Sequence, residues 1–203
     1  MGDDAPKPLD TLLREARACD ICAAHLPLGP RPVLRAAPSS RLLIIGQAPG
    51  TKVHESGVPW NDASGERLRD WMGVTPETFY DETKIAILPM GFCYPGRLPR
   101  GGDAPPRPEC APTWHPPLLD SLPNVRLTLL VGQYAQGRYL AEVKAKTLTE
   151  TVRNFAAYGT RVIPLPHPSW RNTAWMKKNP WFERDLLPVL RARVTSILKS
   201  ARS

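Results

Sequence analysis

Four cysteines have the spacing that a metal centre would need. Cys19 and Cys22 form a C-x2-C pair near the N-terminus, and Cys93 and Cys110 lie far along the chain. No short local motif explains this spacing, so we expect folding to bring three chain segments together. Four thiolates can bind zinc or an iron-sulfur cluster, and spacing alone does not choose between them. The sequence therefore predicts a four-cysteine centre that ties the N-terminal segment to the middle of the chain.

A second group of chemically capable residues follows an apolar run near the C-terminus. His167 stands between Pro166 and Pro168. Proline fixes its own φ, so the two prolines should hold the imidazole in one orientation. The next residues supply a hydroxyl, an indole, a guanidinium and an amide, which suit contact with a nucleic acid: Ser169, Trp170, Arg171 and Asn172. With these neighbours, a functional role for His167 is favoured over a purely structural one.

A glycine-rich turn is the third such feature. It reads G-Q-A-P-G from Gly46 to Gly50 and follows an apolar run. Its glycines allow a ligand to approach the backbone closely. The pattern matches neither the phosphate-binding P-loop nor the dinucleotide fingerprint, so by itself it predicts binding without naming the ligand.

The elements that must position these residues can be predicted from apolar patterning. Short apolar runs at 41–46, 85–88, 127–132 and 161–165 predict buried strands, and helical spacing appears at 64–72, 133–143 and 180–198. Alternating strands and helices predict an α/β fold: a three-layer α/β/α sandwich with a central four-stranded parallel sheet, in one domain over 1–203. Ligand sites in such folds lie at the carboxyl ends of the strands. We expect the proline- and glycine-rich segment 94–117 to be an ordered loop without regular elements.

The charge balance favours a polyanionic partner. The formal net charge is +8 and the isoelectric point about 9.6, with basic residues spread over the chain. Such a surface suits nucleic acid, although a merely soluble basic protein is the alternative. Lys177 and Lys178, flanked by Trp175 and Trp181, form a basic aromatic stretch suited to contact with a nucleic-acid strand. No apolar run approaches the roughly 20 residues of a membrane span, and no signal core opens the chain, so we expect a cytoplasmic protein.

Taken in order, these motifs resemble the uracil-DNA glycosylase superfamily. The resemblance depends on G-Q-A-P-G after the first strand, then G-V-P-W at 57–60, S-G at 64–65 and H-P-S at 167–169. The four cysteines occupy positions similar to those of the iron-sulfur family 4 enzymes, which favours a [4Fe-4S] cluster over zinc. The resemblance covers about residues 10–195.

The resemblance implies hydrolysis of the bond between sugar and base after the base has been flipped out of the DNA, which leaves an abasic site. His167 would stabilise the charge that develops on the base, and Trp60 would stack on the base. The other residues expected to bind substrate are Gly46, Ala48, Pro49, Gly50, Asn61, Met90, Gly91 and Phe92. Trp170 would fill the vacated stack and Arg171 would hold a phosphate. We expect a monofunctional glycosylase that acts as a monomer on single- or double-stranded DNA.

Two departures from the family pattern affect the predicted chemistry. Family 4 has a glutamate after the first motif glycine and family 1 an aspartate one position later, whereas this chain has Gln47 and Ala48. Gln47 could orient a water, and Asp62 is the nearest acidic alternative. The asparagine that reads uracil is replaced by Pro89, so backbone groups of Met90 and Gly91, or the Asn61 amide, would have to read the base. The alternatives are a glycosylase for hypoxanthine or xanthine, and a protein that binds uracil or abasic DNA with little turnover.

Overall fold

The computed structural model describes residues 7–199 and is built around one parallel sheet. In this part of the chain, the sheet has four strands in the order β2-β1-β3-β4. The strands are β1 (Leu42–Ile45), β2 (Ile85–Ile87), β3 (Leu127–Val131) and β4 (Val162–Leu165). All strand pairs are parallel. The predicted strands and the parallel sheet are therefore confirmed, with each strand slightly shorter than its apolar run.

Nine α-helices surround the sheet within the described residues. They are α1 (Leu9–Arg17), α2 (Thr51–Ser56), α3 (Ala63–Met72), α4 (Pro76–Tyr80), α5 (Cys110–Asp120), α6 (Gln133–Tyr139), α7 (Leu148–Arg153), α8 (Thr173–Lys178) and α9 (Leu187–Lys199). Short 3-10 turns occur at Ala23–His25, Phe155–Tyr158 and Trp170–Asn172, and a π-helical turn at Phe182–Leu186 leads into α9.

Two apolar cores make the molecule three layers thick. Successive strand residues point to opposite faces of a sheet. Accordingly, Leu42 and Ile44 pack in one core with residues of α3 and α9. Leu43 and Ile45 pack in the other core with residues of α1, α5 and α6. Because both faces are covered, the strands are buried and apolar throughout, as the predicted three-layer sandwich requires.

The register places all carboxyl ends of the strands at one edge of the sheet. Ile44 pairs with Ile87, Ile45 with Leu130, and Val131 with Leu165. The turn 46–50, residue 89 and His167 all follow directly after these ends. The sheet therefore brings the turn and the histidine together, although about 120 residues separate them in the sequence.

Three predicted elements need correction. Segment 94–117 is not a loop throughout, because α5 begins at Cys110 and contains Pro116 and Pro117. Ala111, His115 and Leu118 lie on one buried face, and this packing outweighs the backbone bonds that proline removes. The helix predicted over 133–143 ends at Tyr139, and that predicted over 180–198 begins with the π-helical turn.

No helix within residues 7–199 is long and apolar enough to cross a membrane.

Candidate active site

A pocket of about 510 Å³ opens at the carboxyl edge of the sheet. Eleven of the predicted site residues line it: Gly46, Gln47, Ala48, Pro49, Gly50, Trp60, Asp62, His167, Ser169, Trp170 and Arg171. Pro89, Gln133, Tyr134 and Asp103 also line it. Its volume is within the range of small-molecule sites in proteins. The structure thus brings the G-Q-A-P-G turn and the H-P-S segment into one cavity.

Trp60 forms one wall of the pocket and packs closely on the turn after β1. A Cβ atom added at Gly46 would lie 2.7 Å from Cζ2 of the Trp60 indole. Position 46 therefore requires glycine because a side chain would displace the indole. The Trp60 ring also lies 5.8 Å from the His167 ring, centroid to centroid, at 33°. An indole face and an imidazole thus meet at the base of the pocket.

The backbone of Trp60 adopts a conformation that is unusual for a non-glycine residue. Its φ is +57°, the only positive φ of a non-glycine residue in the described range. The carbonyl of Trp60 accepts hydrogen bonds from Arg69 and Tyr80, both at 3.3 Å. That carbonyl also lies 1.8 Å from where a Cβ on Gly65 would stand. Strain of this kind persists where the surroundings enforce it, and it is concentrated at functional sites.

The His167 imidazole has no hydrogen-bond partner within the described part of the chain, so its N–H is free for a ligand. Burial lowers the pKa of His167, and the negative charges of Asp62 and Asp103 partly oppose this shift. The ring is therefore neutral at pH 7. A neutral imidazole with an unpartnered N–H can donate a hydrogen bond to a negative atom in the pocket.

Two side chains anchor the segment that carries His167. Asn172 Nδ2 donates to the His167 carbonyl at 2.6 Å. Arg67 Nη1, on α3, donates to the Ser169 carbonyl at 2.9 Å. Asn172 is predicted to contact DNA; in the structure its side-chain amide N–H holds the backbone of the segment that contains His167. Arg67 was missed because nothing in the local sequence relates it to position 169.

Gln47 connects the turn after β1 to a short hairpin, residues 97–103, in the proline- and glycine-rich segment. Its Nε2 donates to the Ala104 carbonyl at 3.2 Å. The hairpin is closed by a bond from Leu98 N to Gly102 O at 2.9 Å and by the antiparallel pair Arg97 and Asp103. Asp103 is not among the predicted site residues, since no pattern distinguishes it from other loop carboxylates.

Asp62 has a structural role at the start of α3. It is the N-cap residue, and its Oδ1 accepts from the Gly65 backbone N–H at 2.8 Å. A cap of this type satisfies one of the free donors of the first turn. Asp62 also lines the pocket, but one of its oxygens is already occupied.

Four predicted substrate-binding residues do not line the pocket. Phe92 is buried in the core and stacks on His115, and together with Gly91 it lines a different cavity. The backbone N–H groups of Met90 and Gly91 donate to Gly46 and Gln47 carbonyls, both at 2.9 Å. They are therefore not free to read a base. Asn61 is exposed outside the pocket.

A buried histidine supports the end of β2 from behind. His115 on α5 is only 1% exposed; its Nδ1 contacts the Tyr139 hydroxyl, and its Nε2 lies 3.0 Å from the Pro89 carbonyl oxygen. Burial lowers the pKa of His115 to about 4. The neutral ring donates from Nε2 to Pro89, and this tautomer leaves Nδ1 to accept from Tyr139. The contacts of His115 with Tyr139 and Pro89 were not predicted from the sequence.

The rim of the pocket exposes an aromatic and basic surface. Trp170 is 74% exposed, and the Arg171 guanidinium lies 5.8 Å from its ring centre. Lys177 and Lys178 are exposed on α8, outside the pocket. Trp181 is instead buried in the core, so it is not available for strand contact. The exposed indole and guanidinium have the chemistry of a surface that contacts stacked bases and phosphates.

The four cysteines line a second cavity, together with Trp114 and Glu109. Burial raises the pKa of Cys110 to about 12, and the charges of the other three thiols contribute to this shift, which shows that the four are neighbours. The Trp114 indole N–H is buried and has no partner within residues 7–199. A sulfur acceptor in this cavity would satisfy it.

The same region does not contain a preassembled site for a single metal ion. Within residues 7–199, no three histidine, cysteine, aspartate or glutamate side chains lie close enough to hold one ion. The four cysteines could nevertheless ligate the iron atoms of an iron-sulfur cluster, and the unpartnered indole N–H could donate a hydrogen bond to one of its sulfur atoms. The metal centre therefore stays a prediction.

Fold and pocket together define an α/β protein with a ligand-sized pocket at the carboxyl ends of a parallel sheet, bordered by a surface suited to nucleic acid. The family model of the uracil DNA glycosylase superfamily matches residues 35–191, which is more than half of the chain. The chain therefore belongs to this superfamily, and it is a DNA glycosylase that acts on DNA. The matched range contains every pocket residue except Val33, and two of the four cysteines, Cys93 and Cys110.

Proposed function

We propose that this protein is a monofunctional uracil-DNA glycosylase that hydrolyses the N-glycosidic bond of uracil in DNA and leaves an abasic site. The observation that carries the proposal is the unpartnered His167 imidazole facing the Trp60 indole inside one pocket. The motif order and cysteine positions support a place near the iron-sulfur family 4 enzymes.

The chemistry follows from where charge develops. The glycosidic bond breaks with positive charge on the sugar and negative charge on the base. The flipped base would stack on Trp60, which offsets part of the cost of flipping, about a few kcal/mol. His167 would then donate its N–H to the base oxygen as the negative charge forms. Preorganised donors of this kind supply much of the catalysis in enzymes that stabilise an oxyanion.

Trp170 and Arg171 would hold the DNA while the base is in the pocket. The exposed indole can occupy the space that the base has left, and the guanidinium can pair with a neighbouring phosphate. Because one chain contains the whole pocket and its rim, we propose that the protein acts as a monomer.

Hydrolysis without strand cleavage is supported by the composition of the pocket. Among the residues that line the described pocket there is no lysine. A lyase reaction needs an amine nucleophile to form a Schiff base with the sugar. Water is therefore the nucleophile that the pocket can accommodate.

Base recognition in this pocket would have to use groups other than a side-chain amide at position 89. Pro89 has no side-chain amide, and its carbonyl faces His115 behind the pocket. Gln133 and Tyr134 line the pocket at the start of α6, and an amide and a phenol hydroxyl are groups that can hydrogen-bond to a base edge. The missing amide at position 89 favours hypoxanthine or xanthine as the second candidate substrate.

We also propose that Cys19, Cys22, Cys93 and Cys110 hold a [4Fe-4S] cluster. The support is their common cavity and the buried Trp114 N–H that lacks a partner. Such a cluster would supply covalent ties between the N-terminal segment, the residue after β2 and the start of α5. We propose zinc as the alternative occupant.

A single-turnover assay tests the function. Excess protein is mixed with fluorescent oligonucleotides that carry one uracil, hypoxanthine or xanthine, and alkali then breaks abasic sites. We expect cleavage at uracil that requires alkali. Preferred cleavage at hypoxanthine or xanthine would support the second candidate. Retained binding without cleavage of any of the three would contradict a glycosylase with efficient turnover.

A further inference from the structure

The turn after β1 contains no carboxylate, yet hydrolysis needs a water to be oriented and deprotonated. Two acidic residues line the pocket, Asp62 and Asp103. They differ in what already binds them. Asp62 Oδ1 accepts the Gly65 N–H at 2.8 Å as the cap of α3. The Asp103 carboxylate has no hydrogen-bond or ion-pair partner in the described part of the chain.

Asp103 is held over the turn that would carry the nucleophilic water. Its Oδ2 lies 3.6 Å from where a Cβ on Gly50 would stand. Asp103 and His167 both line the pocket, and the negative charge of Asp103 opposes the lowering of the His167 pKa. Asp103 is exposed to solvent in the free protein, at the mouth of the pocket, where bound DNA would cover it.

Two contacts fix the hairpin that carries Asp103. Gln47 Nε2 donates to the carbonyl of Ala104, the residue after Asp103, at 3.2 Å. On the other side, Arg171 Nη1 lies 2.7 Å from where a Cβ on Gly102 would stand, so the guanidinium packs on the hairpin. The glutamine in the turn thus acts on the carboxylate through the backbone of the hairpin.

We propose that Asp103 is the catalytic carboxylate of this glycosylase and that Gln47 is its positioning residue. The inference rests on the proposed function. The bond from the base nitrogen to C1′ breaks and its electron pair leaves with the base. A water oxygen forms the new bond to C1′, and one proton of that water passes to Asp103. Asp103 later releases this proton to solvent or to the departed base.

The test compares three conservative variants with wild type on whichever damaged base the wild type removes. Asp103→Asn should lower the single-turnover rate at saturating protein by about 100-fold or more, the usual contribution of a general base. Its affinity for the oligonucleotide should not fall, because the substitution removes a negative charge that repels the DNA phosphates. Asp120→Asn, at the far end of α5, is the matched control and should keep the wild-type rate. Asp62→Asn should lose less than about fivefold, because asparagine also caps helices.

A double-mutant cycle tests Gln47. Gln47→Leu should lower the saturating rate with little change in the half-saturating protein concentration. In the Asp103→Asn background it should have no further effect, because the two residues act as one unit.

Three results would overturn the proposal. Asp103→Asn with the wild-type rate removes Asp103 from catalysis. If the rate losses of Gln47→Leu and Asp103→Asn multiply in the double variant, Gln47 does not act by positioning Asp103. If the wild-type protein releases none of the three bases, both the proposed function and this inference are wrong. If the wild type is active and Asp103→Asn is equally active, only this inference is wrong.

Discussion

His167 is the residue on which the proposed chemistry depends most. Its N–H is unpartnered in the described chain, and burial keeps the ring neutral at pH 7. Asn172 fixes its backbone from behind, through a bond of 2.6 Å. The functional group is thus oriented before DNA arrives, which is the condition for strong electrostatic stabilisation of the departing base.

Substitution of His167 is the residue-scale prediction. His167→Ala should reduce the single-turnover rate by about 10²- to 10³-fold, as loss of one preorganised donor does elsewhere. His167→Gln keeps an amide donor and should retain more of the rate. Binding to the oligonucleotide, measured by fluorescence anisotropy, should be the same for both variants and wild type. An Ala variant as fast as wild type would mean that another group stabilises the base.

At the scale of elements, the end of β2 depends on helices α5 and α6. His115 from α5 bonds to the Pro89 carbonyl and to Tyr139 of α6. These contacts place the strand end that borders the pocket. The prolines inside α5 do not prevent the helix because its buried face, formed by Ala111, His115 and Leu118, packs against the rest of the protein.

The neutral state of His115 makes stability depend on pH. Its pKa is about 4 in the folded protein, against an ordinary value of 6.5. Between these values the unfolded chain binds the proton and the folded chain does not, so stability falls as pH decreases from 6.5 towards 4. Lowering the pH from 7 to 5 should therefore decrease the free energy of unfolding by about 2 kcal/mol through protonation of this group.

Urea unfolding at pH 7 and pH 5 measures this effect. Other groups titrate as well, so the comparison is with His115→Gln, which can bond both partners without titrating. Wild type should lose about 2 kcal/mol more than this variant between the two pH values. Equal losses would show that His115 does not titrate as its burial implies.

At the scale of the whole molecule, the four-cysteine cavity joins segments that the sheet does not connect directly. One wall comes from the chain after α1, one from the residues after β2, and one from the start of α5. A cluster bound there would restrain the proline- and glycine-rich segment that contains the 97–103 hairpin. Stability and the position of Asp103 would then both depend on the cluster.

Metal analysis of the purified protein tests this dependence. We expect a brown protein with about four iron and four sulfide per chain. Removal of the iron by chelation should lower the midpoint of thermal unfolding and slow base removal, whereas Cys93→Ser should prevent loading. One zinc per chain in a colourless protein would support the alternative occupant. A fully active protein without metal would refute the centre.

Sequence alone was sufficient for the framework. Apolar runs predicted all four strands and the parallel sheet, because burial on both faces leaves a continuous local pattern. The same reasoning placed the G-Q-A-P-G turn and His167 at one edge. The motifs also led to the superfamily that the family model shows.

Only the tertiary structure decided which side chains share the pocket. Gln47 and Ala104 are 57 positions apart, and His115 and Pro89 are 26 apart. No local pattern records such contacts. Phe92 follows a strand end as pocket residues do, but its side chain turns into the core, while Asp103 reaches the pocket through a hairpin that composition suggested was only a loop. Where a side chain points, and which residue it contacts, depends on how distant segments pack together, and this packing exists only in the folded chain.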